Sequence, residues 1–280
     1  MKKMKLLMPM VASAILFMTS CAKEDVNNVE NPADDSQAIS QEVLDKIGSL
    51  SLNTNDVVVK DIPLPDGTLV SRYVVEGDIT IDPNELDGMS IYGGITTEQY
   101  RTNNLVSSPR TLSVIGYTGG GGYGLTSSMQ TGLQWAVANY NRLNLGITMS
   151  LSFSASTNAD MVVYRNPTES GAGGSAGFPS GGNPNKFIQI FTGLDNASNN
   201  VNEHVATHEI GHSIGFRHTD WFSRQSCGQN VNEGTAGVGA VHIPGTPTGY
   251  DSTSIMLSCF SFSTNGEFNN NDITALNFLY

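Results

Sequence analysis

Three of the five histidines of this 280-residue chain lie in one short segment, HEIGHSIGFRHTD, residues 208–220. His208 and His212 are four residues apart, so on a helix both side chains leave the same face, with Cβ atoms about 5–6 Å apart. Two imidazoles in this arrangement can hold one metal ion. Zinc in a catalytic site takes three protein ligands and keeps a fourth position open. The spacing therefore predicts a zinc site that needs one more ligand.

His218 is the candidate for the third ligand. On a continuing helix it would point away from His212, but Gly215 lies between them, and glycine accepts the positive φ that ends a helix and returns the chain. Glu209 is displaced about 100° from His208 around the helix, so it points beside the metal. There it can act as the base that activates a zinc-bound water. The competing interpretation is a chance run of histidines.

Three other polar residues have roles that the sequence leaves open. His204 lies one turn before His208; as a fourth ligand it would close the open position, so we interpret it as a residue behind the ligands or on the surface. His242 is either a hydrogen-bonding group near the cleft or an ordinary loop histidine. Asp220 either orients a ligand histidine or is an exposed loop carboxylate.

The elements that must position these residues follow from hydrophobic periodicity. The order strand, helix, strand, strand, edge strand, strand, helix, long loop, helix predicts an α+β fold. We expect a mixed, mostly parallel twisted sheet, an active-site helix and a C-terminal helix. The predicted strands and helices are residues 111–117, 126–143, 147–156, 159–165, an edge strand at Ser175, Ala176, Gly177 and Phe178, 186–194, 200–216 and 272–279.

Residues 38–107 form a region of a different character, before a catalytic domain at 108–280. A short helix capped by Ser36 is predicted first, followed by strand segments Val57–Val59 and Leu69–Ile81, the second with the alternating pattern LVSRYVVEGDITI. This region is either a small N-terminal domain or a pro-segment that covers the site. The sequence does not choose between them.

The first residues predict export. Residues 1–20 contain three lysines followed by an apolar run that is too short to span a membrane, as in a secretory signal peptide. The Thr19-Ser20-Cys21 ending resembles a bacterial lipobox, which predicts a lipid on Cys21; an ordinary secreted protein is the alternative. Residues 21–37 are predicted to be a polar tether. We expect an extracytoplasmic protein anchored to the bacterial outer membrane, with surface exposure left open.

The net charge limits the kinds of partner that we expect for this protein. The formal net charge is −12, and such a field repels phosphate backbones, so we expect no nucleic-acid partner. We expect a monomer.

With Cys21 lipidated, Cys227 and Cys259 remain, and in an oxidising compartment a disulfide between them is the default expectation. Two unpaired buried thiols are the alternative.

The motif resembles that of the metzincin zinc peptidases, in which HExxHxxGxxH is followed by a methionine turn, and SIMLSC places Met256 thirty-eight residues after His218. HEIGH, the following HTD and HIPGTPTGYDSTSIM together resemble the bacterial dual-action HEIGH metallopeptidases over about residues 110–280. The resemblance implies that His208, His212 and His218 are zinc ligands, that Glu209 is the base, and that Met256 lies beneath the metal.

Together with the predicted lipid on Cys21, this resemblance makes a lipid-anchored zinc endopeptidase that cuts extended protein segments the leading hypothesis. The edge strand at 175–178 would then bind substrate main chain by strand addition. A zinc-stabilised protein that binds peptides or glycoproteins without turnover is the alternative, and structural calcium is left open. Some metzincins have a tyrosine two residues after the turn methionine, where this chain has Ser258. No cysteine lies in residues 22–107, so latency through a thiol is excluded, whereas an aspartate or a steric cover is not.

Overall fold

The computed structural model describes residues 39–50, 52–89, 99–230 and 241–280. All of them belong to one compact unit of the chain, Gln37–Tyr280. The predicted signal peptide, the lipidation site Cys21, the tether and the helix cap Ser36 lie outside the described residues. None of the helices within these ranges is long and apolar enough to span a bilayer.

The described residues form four helices and ten strands, connected by loops and short 3₁₀ turns. In chain order they are α1 Gln41–Ser49, β1 Val58–Pro63, β2 Leu69–Val75, β3 Ile79–Ile81, β4 Tyr100–Arg101, β5 Arg110–Tyr117, α2 Ser127–Asn141, β6 Ile147–Ser154, β7 Met161–Asn166, β8 Gly174–Ser175, β9 Phe187–Phe191, α3 Asn199–Ile214, β10 Val241–His242 and α4 Asn270–Leu279.

The central sheet has five strands in the order β6-β5-β7-β9-β8. Four of them are parallel, and β8 at one edge runs antiparallel to β9. The expected α+β fold with a mixed, mostly parallel sheet is therefore confirmed. Successive side chains of a strand point to opposite faces, and accordingly Val163 of β7 packs in the main core with α2 and α3, whereas Val162 and Tyr164 pack on the other face with Leu64.

The N-terminal region differs from its prediction at two places. The helix α1 is capped by Ser40, whose hydroxyl accepts a hydrogen bond from the Val43 amide, and not by Ser36. The pattern at 69–81 predicted one strand, but the chain turns at Glu76 and Gly77, which both have positive φ, and forms the antiparallel hairpin β2–β3. Glycine in such a turn accepts positive φ without steric cost, and this local geometry overrides the alternating pattern.

Helix α3 is buried on every side. Its N-cap is Ser198, whose hydroxyl accepts from the Val201 amide, and each residue from Val201 to Ile214 is buried. It packs closely against α2 at Gly132, where a Cβ would lie 2.6 Å from the Asn202 carbonyl carbon and from the Glu203 amide nitrogen. Both atoms belong to the backbone of α3, so this crossing requires a residue without a side chain.

We expect Gly132→Ala to destabilise the fold. The added methyl collides with α3, and overpacking of this kind costs about 1–3 kcal/mol, which exceeds the gain of about 1 kcal/mol in helix propensity. The free energy of unfolding, measured by urea titration, should fall. Gly120→Ala is the control, because a Cβ at Gly120 has no heavy atom within 4 Å. Equal stability of both variants would contradict the tight crossing.

Candidate metal centre

His208 and His212 lie on adjacent turns of α3, with ring centroids 4.6 Å apart. The Nδ1 atom of His208 lies 2.9 Å from the carbonyl oxygen of Ile255, and Nδ1 of His212 lies 2.9 Å from the carbonyl oxygen of Phe216. Since a carbonyl oxygen only accepts hydrogen bonds, each Nδ1 carries the proton and each Nε2 keeps its lone pair. Two backbone carbonyls thus orient both rings for ligation through Nε2.

Gly215 ends α3 in the left-handed conformation, with φ 119°. The chain reverses there, and the amide of Phe216 donates to the carbonyl oxygen of Gly211 at 2.9 Å. The imidazole of His218 consequently reaches the other two rings, with centroid distances of 5.4 Å to His208 and 4.9 Å to His212. The three predicted histidines are therefore brought together as the spacing required.

Glu209 lies beside the three histidines and is buried. Its Oε2 atom has no hydrogen-bond partner, and a Cβ at Gly174 of the edge strand would lie 2.9 Å from its Oε1. The absence of a side chain at that strand position gives the carboxyl group its space. Burial raises the pKa of Glu209 well above its ordinary value, Asp78 raises it further, and His218 opposes the shift.

Asp78 joins the histidines, although sequence reasoning did not select it. Its Oδ2 atom lies 3.0 Å from Nε2 of His218 and 3.7 Å from Nε2 of His208. Burial acts to raise the pKa of Asp78, but the charges and hydrogen bonds of the histidines hold it well below its ordinary value. The sequence signal was Glu-Gly-Asp inside an alternating strand pattern, a typical hairpin turn, but a turn alone does not show which residues it meets.

The side chains of Asp78 and the three histidines are close enough together to bind one zinc ion. One potential ligand atom from each of Asp78, His208, His212 and His218 lies within 4.8 Å of every other. Ligand atoms about 2.0–2.1 Å from a tetrahedral zinc are about 3.3 Å apart, so small side-chain adjustments complete such a site. In addition, Nε2 of His212 is buried without a hydrogen-bond partner, and a bound cation is the partner that would satisfy it.

Met256 lies beneath the helix that carries the histidines. A Cβ at Gly211 would be only 2.5 Å from the Met256 sulfur, so the helix and the methionine turn are in close contact. The carbonyl oxygen of Met256 also accepts a hydrogen bond from the Thr219 amide at 2.8 Å. The turn is thereby attached to the segment that follows the third histidine.

Helix α4 holds the methionine turn in place through Asp272. Both carboxylate oxygens of Asp272 accept hydrogen bonds, from the side chains of Gln99 and Ser254 and from the amides of Ile255 and Asn269. Burial raises the pKa of Asp272 to about 6, against these hydrogen bonds. Because the carbonyl of Ile255 is the acceptor for His208, this network positions a candidate ligand.

Asp220 is fully buried rather than exposed. It accepts hydrogen bonds from the amide and hydroxyl groups of Ser226 and Ser258. Cys227 and Cys259, each next to one of these serines, form a disulfide with Cα atoms 5.1 Å apart. Asp220 and the expected disulfide therefore connect the same two segments, the one after His218 and the one after Met256.

His204 and His242 lie outside the group that could hold a metal. Nδ1 of His204 is 3.0 Å from the Thr264 hydroxyl oxygen, and its ring lies 5.3 Å from that of Phe260. Burial, with a contribution from His208, lowers the pKa of His204 to about 3, so it is a buried neutral residue rather than a surface one. His242 belongs to β10 and pairs with Tyr100 of β4.

The edge strand is shorter than predicted and begins one residue earlier. Of the predicted residues only Ser175 lies in β8, because the strand is Gly174–Ser175. Ala176 forms an isolated parallel bridge with Ile79 of the N-terminal hairpin. Gly177 and Phe178 follow outside the strand, and the Phe178 ring makes an edge contact with the imidazole of His212 at 5.8 Å.

A buried cluster of three histidines, two on an HExxH helix and one after its glycine end, is typical of zinc hydrolases. A family model described as dual-action HEIGH metallo-peptidase matches residues 73–280. The match covers more than half of the chain, so the chain belongs to this family, and the resemblance stated from its sequence is confirmed. It is a metallopeptidase, a hydrolase of protein or peptide substrates, and the family and the histidine group support zinc as its metal.

Two solved structures of myroilysin are similar to the chain. One has 16% sequence identity and a TM-score of 0.38, and the match covers 70% of this chain and 95% of the myroilysin chain. The other has 15% identity and a TM-score of 0.39, with 62% and 93% covered. No curated protein sequence matches the chain.

We expect Gly215→Ala to weaken zinc binding. A side chain at φ 119° is strained, and its Cβ would lie 2.8 Å from the carbonyl oxygen of Asn104, so the turn that returns His218 must shift. Loss of ligand orientation typically weakens metal binding roughly 10–100-fold. Competition with a fluorescent chelator measures the affinity.

Gly228→Ala is the matched control. Gly228 also has positive φ, but a Cβ there meets no heavy atom within 4 Å, so the variant carries backbone strain without displacing the metal segment. Equal zinc affinities for the two variants would show that the Gly215 turn does not set the ligand geometry.

Proposed function

We propose that the protein is a zinc endopeptidase that hydrolyses extended segments of proteins. The observation that carries the proposal is the convergence of His208, His212 and His218 around one point, with the unpartnered carboxyl oxygen of Glu209 beside it. Three nitrogen ligands with an adjacent base form the arrangement that zinc peptidases need. A protein that only binds peptides has no need of that base.

In this proposal His208, His212 and His218 hold the zinc, and each residue around them has a defined task. Zinc, when bound, polarises the scissile carbonyl group as a Lewis acid. Glu209 takes a proton from the attacking water and delivers it to the leaving amine. Met256 supports the helix from below, and Gly174 leaves the space that the Glu209 carboxyl group occupies. The hydroxyl group of Ser258 donates to Asp220, so we propose that it stabilises the loop and takes no part in the reaction.

The substrate is proposed to bind beside the edge of the central sheet. Gly174, the first residue of β8, lies next to Glu209, and an extended peptide can add to such an edge through main-chain hydrogen bonds. Recognition would then depend on main chain first and side chains second, so we propose tolerance of many sequences. We narrow the predicted edge at 175–178 to Gly174, Ser175 and Ala176, because β8 and its bridge cover these residues.

We also propose an extracytoplasmic location. The signal-like residues 1–20 would be removed, Cys21 would carry lipid, and residues 21–37 would link the lipid to the folded protein. The disulfide between Cys227 and Cys259 supports an oxidising compartment. Lys23-Glu24-Asp25, just after Cys21, resembles the short surface-export tags of some Gram-negative lipoproteins, which supports an outer-membrane location. We also propose that the protein acts as a monomer.

Glu209→Gln should retain zinc and lose hydrolysis. The amide has the shape of the carboxylate but cannot take the proton, and loss of a general base typically lowers the rate about 10²–10⁴-fold. Casein hydrolysis with and without chelator, together with metal analysis, measures both properties. Glu267→Gln, at a half-exposed carboxylate paired with Arg142, is the control. Hydrolysis at the wild-type rate by Glu209→Gln would refute the mechanism.

Cys21→Ser should release the protein from membranes. A serine cannot accept the thioether-linked lipid, so the variant should lack label from a radioactive fatty acid and should leave the membrane fraction. Cys227→Ser with Cys259→Ser is the control, because this double substitution removes the two cysteines of the disulfide without altering the predicted lipobox. Fatty-acid label on the Cys21→Ser protein would contradict the assignment.

A further inference from the structure

A large cavity adjoins the metal centre. Its volume is about 660 Å³, and it is lined by His204 of α3 and mainly by residues of the segment 250–269. His204, Leu257 and Phe260 also line the cavity of about 180 Å³ to which His208 belongs. The two cavities are therefore adjacent, and a group carried on a substrate residue near the metal can extend into the larger one.

The lining of this larger cavity is rich in hydroxyl groups and poor in charge. It includes five serines, two threonines and one tyrosine, Tyr250. None of its described lining residues is a lysine or an arginine, and the one carboxylate, that of Glu267, is paired with Arg142 at 2.7 Å. A hydroxyl group has one donor and two acceptor sites, so this lining suits a neutral ligand that itself carries hydroxyl groups. An apolar side chain would leave the hydroxyl groups without partners.

We propose that this cavity, named here the saccharide pocket, binds a neutral sugar carried on a substrate side chain, so that the enzyme prefers glycosylated protein segments. The proposal rests on the proposed function, because a peptide bound at the metal would bring the sugar to the pocket. Pockets for drug-sized ligands have volumes of about 300–1,000 Å³, and the saccharide pocket lies within this range. It is therefore large enough for a sugar together with the side chain that carries it.

The first specific support is His204. Its Nε2 atom is buried and has no hydrogen-bond partner, whereas its Nδ1 atom lies 3.0 Å from the Thr264 hydroxyl oxygen. Burial lowers the pKa of His204 to about 3, so the ring is neutral, with one N–H donor and one acceptor nitrogen. A sugar hydroxyl group both donates and accepts, so it satisfies Nε2 in either tautomer. Because buried polar atoms are generally paired, this nitrogen indicates a ligand with hydroxyl groups.

The second support is a pair of phenylalanines at the pocket. Phe260 lines the pocket, and its ring centroid is 5.3 Å from that of His204. The Phe262 ring lies 6.0 Å from the Phe260 ring and Phe262 is 61% exposed, while its neighbours Ser261 and Ser263 both line the pocket. The C–H face of a sugar ring packs well on the electron-rich face of an aromatic ring. Phe262 therefore offers a stacking surface beside the hydroxyl lining.

The third support is the order of the pocket wall. The hydroxyl oxygens of Ser261 and Ser263 lie 2.8 Å apart. The side-chain amide of Asn269 donates to Asp251 at 2.8 Å and to the Thr253 hydroxyl group at 2.9 Å. These hydrogen bonds hold the polar groups of the lining in place before a ligand arrives. A site that is already ordered loses less free energy on binding.

The first experiment measures sugar binding by the full chain, without hydrolysis. All lining residues lie between positions 204 and 269, outside the N-terminal region, so the intact protein should bind free sugars. Titrations followed by saturation-transfer NMR should detect binding of the methyl glycosides of N-acetylgalactosamine and N-acetylglucosamine. The methyl glycoside of sialic acid is anionic and should bind weaker by about tenfold or more, because Glu267 is the one charged side chain of the described lining.

Variants at the pocket locate the binding. Phe262→Ala should weaken sugar binding about threefold to tenfold, because it removes the stacking surface. Thr264→Val keeps the shape of the side chain but removes the hydroxyl group beside His204, and it should weaken binding by about the same factor. Phe278→Ala is the matched control and should not change binding, because Phe278 is similarly exposed, at 52%, but belongs to α4 and lies outside the lining.

The second experiment asks whether the pocket directs hydrolysis. A glycoprotein with both O-linked and N-linked sugars is compared with samples from which one class or the other has been removed enzymatically. Removal of the class that the pocket binds should lower kcat/KM about tenfold, because the binding energy of the sugar is lost. Sugars ordinarily shield a chain from peptidases, so this direction is diagnostic. Phe262→Ala should reduce the preference, and Phe278→Ala should retain it.

The outcomes separate the saccharide pocket from the proposed function. Absence of binding of both neutral sugars, or equal binding by the wild-type, Phe262→Ala and Thr264→Val proteins, would overturn the pocket and leave the peptidase intact. Equal or faster hydrolysis after removal of each sugar class would also overturn it. Sugar binding that Phe262→Ala weakens, without hydrolysis of any glycoprotein or of casein, would support the pocket and refute the endopeptidase function.

Discussion

The end of α3 at Gly215 is the constraint on which the site depends. If the helix continued, His218 would leave the side of the helix that carries His208 and His212. The positive φ at Gly215 instead returns the chain, and the Phe216 carbonyl oxygen then accepts a hydrogen bond from Nδ1 of His212. One backbone conformation therefore delivers the third imidazole and fixes the tautomer of the second. The close approach of Asn104 excludes a side chain there, so geometry and packing require the same residue.

The other orienting groups come from parts of the chain that lie far away in sequence. Asp272 at the start of α4 holds Ser254 and Ile255, and the Ile255 carbonyl orients His208. Asp220 and the disulfide connect the segment after the third histidine to the segment after Met256. A buried carboxylate with several donors is stable only if these donors stay in place. Two buried aspartates outside the metal centre, Asp220 and Asp272, thus hold the segments that orient its histidines.

Burial sets the electrostatic environment of the site. Helix α3 contacts α2 and the strands β8 and β9, so Glu209 is removed from water, and its Oε2 atom has no hydrogen-bond partner. A charge in such an environment interacts strongly with nearby charges, and Asp78 is placed among three histidines. Glu76 forms the matching buried pair with Arg217. The hairpin tip thereby places two acidic side chains, one beside the three histidines and one beside Arg217.

The sequence by itself determined the features that depend on local spacing. The HExxHxxGxxH pattern located the helix, its glycine end and three converging histidines, and hydrophobic periodicity located the sheet strands within a few residues. It could not determine the partners of Asp78, Glu76, Asp220 and Asp272, because each acts on residues distant along the chain. The alternating pattern at 69–81 also concealed a turn. Only the tertiary structure decided that this turn enters the metal centre, since packing of the hairpin on the sheet edge depends on surfaces that no single segment contains.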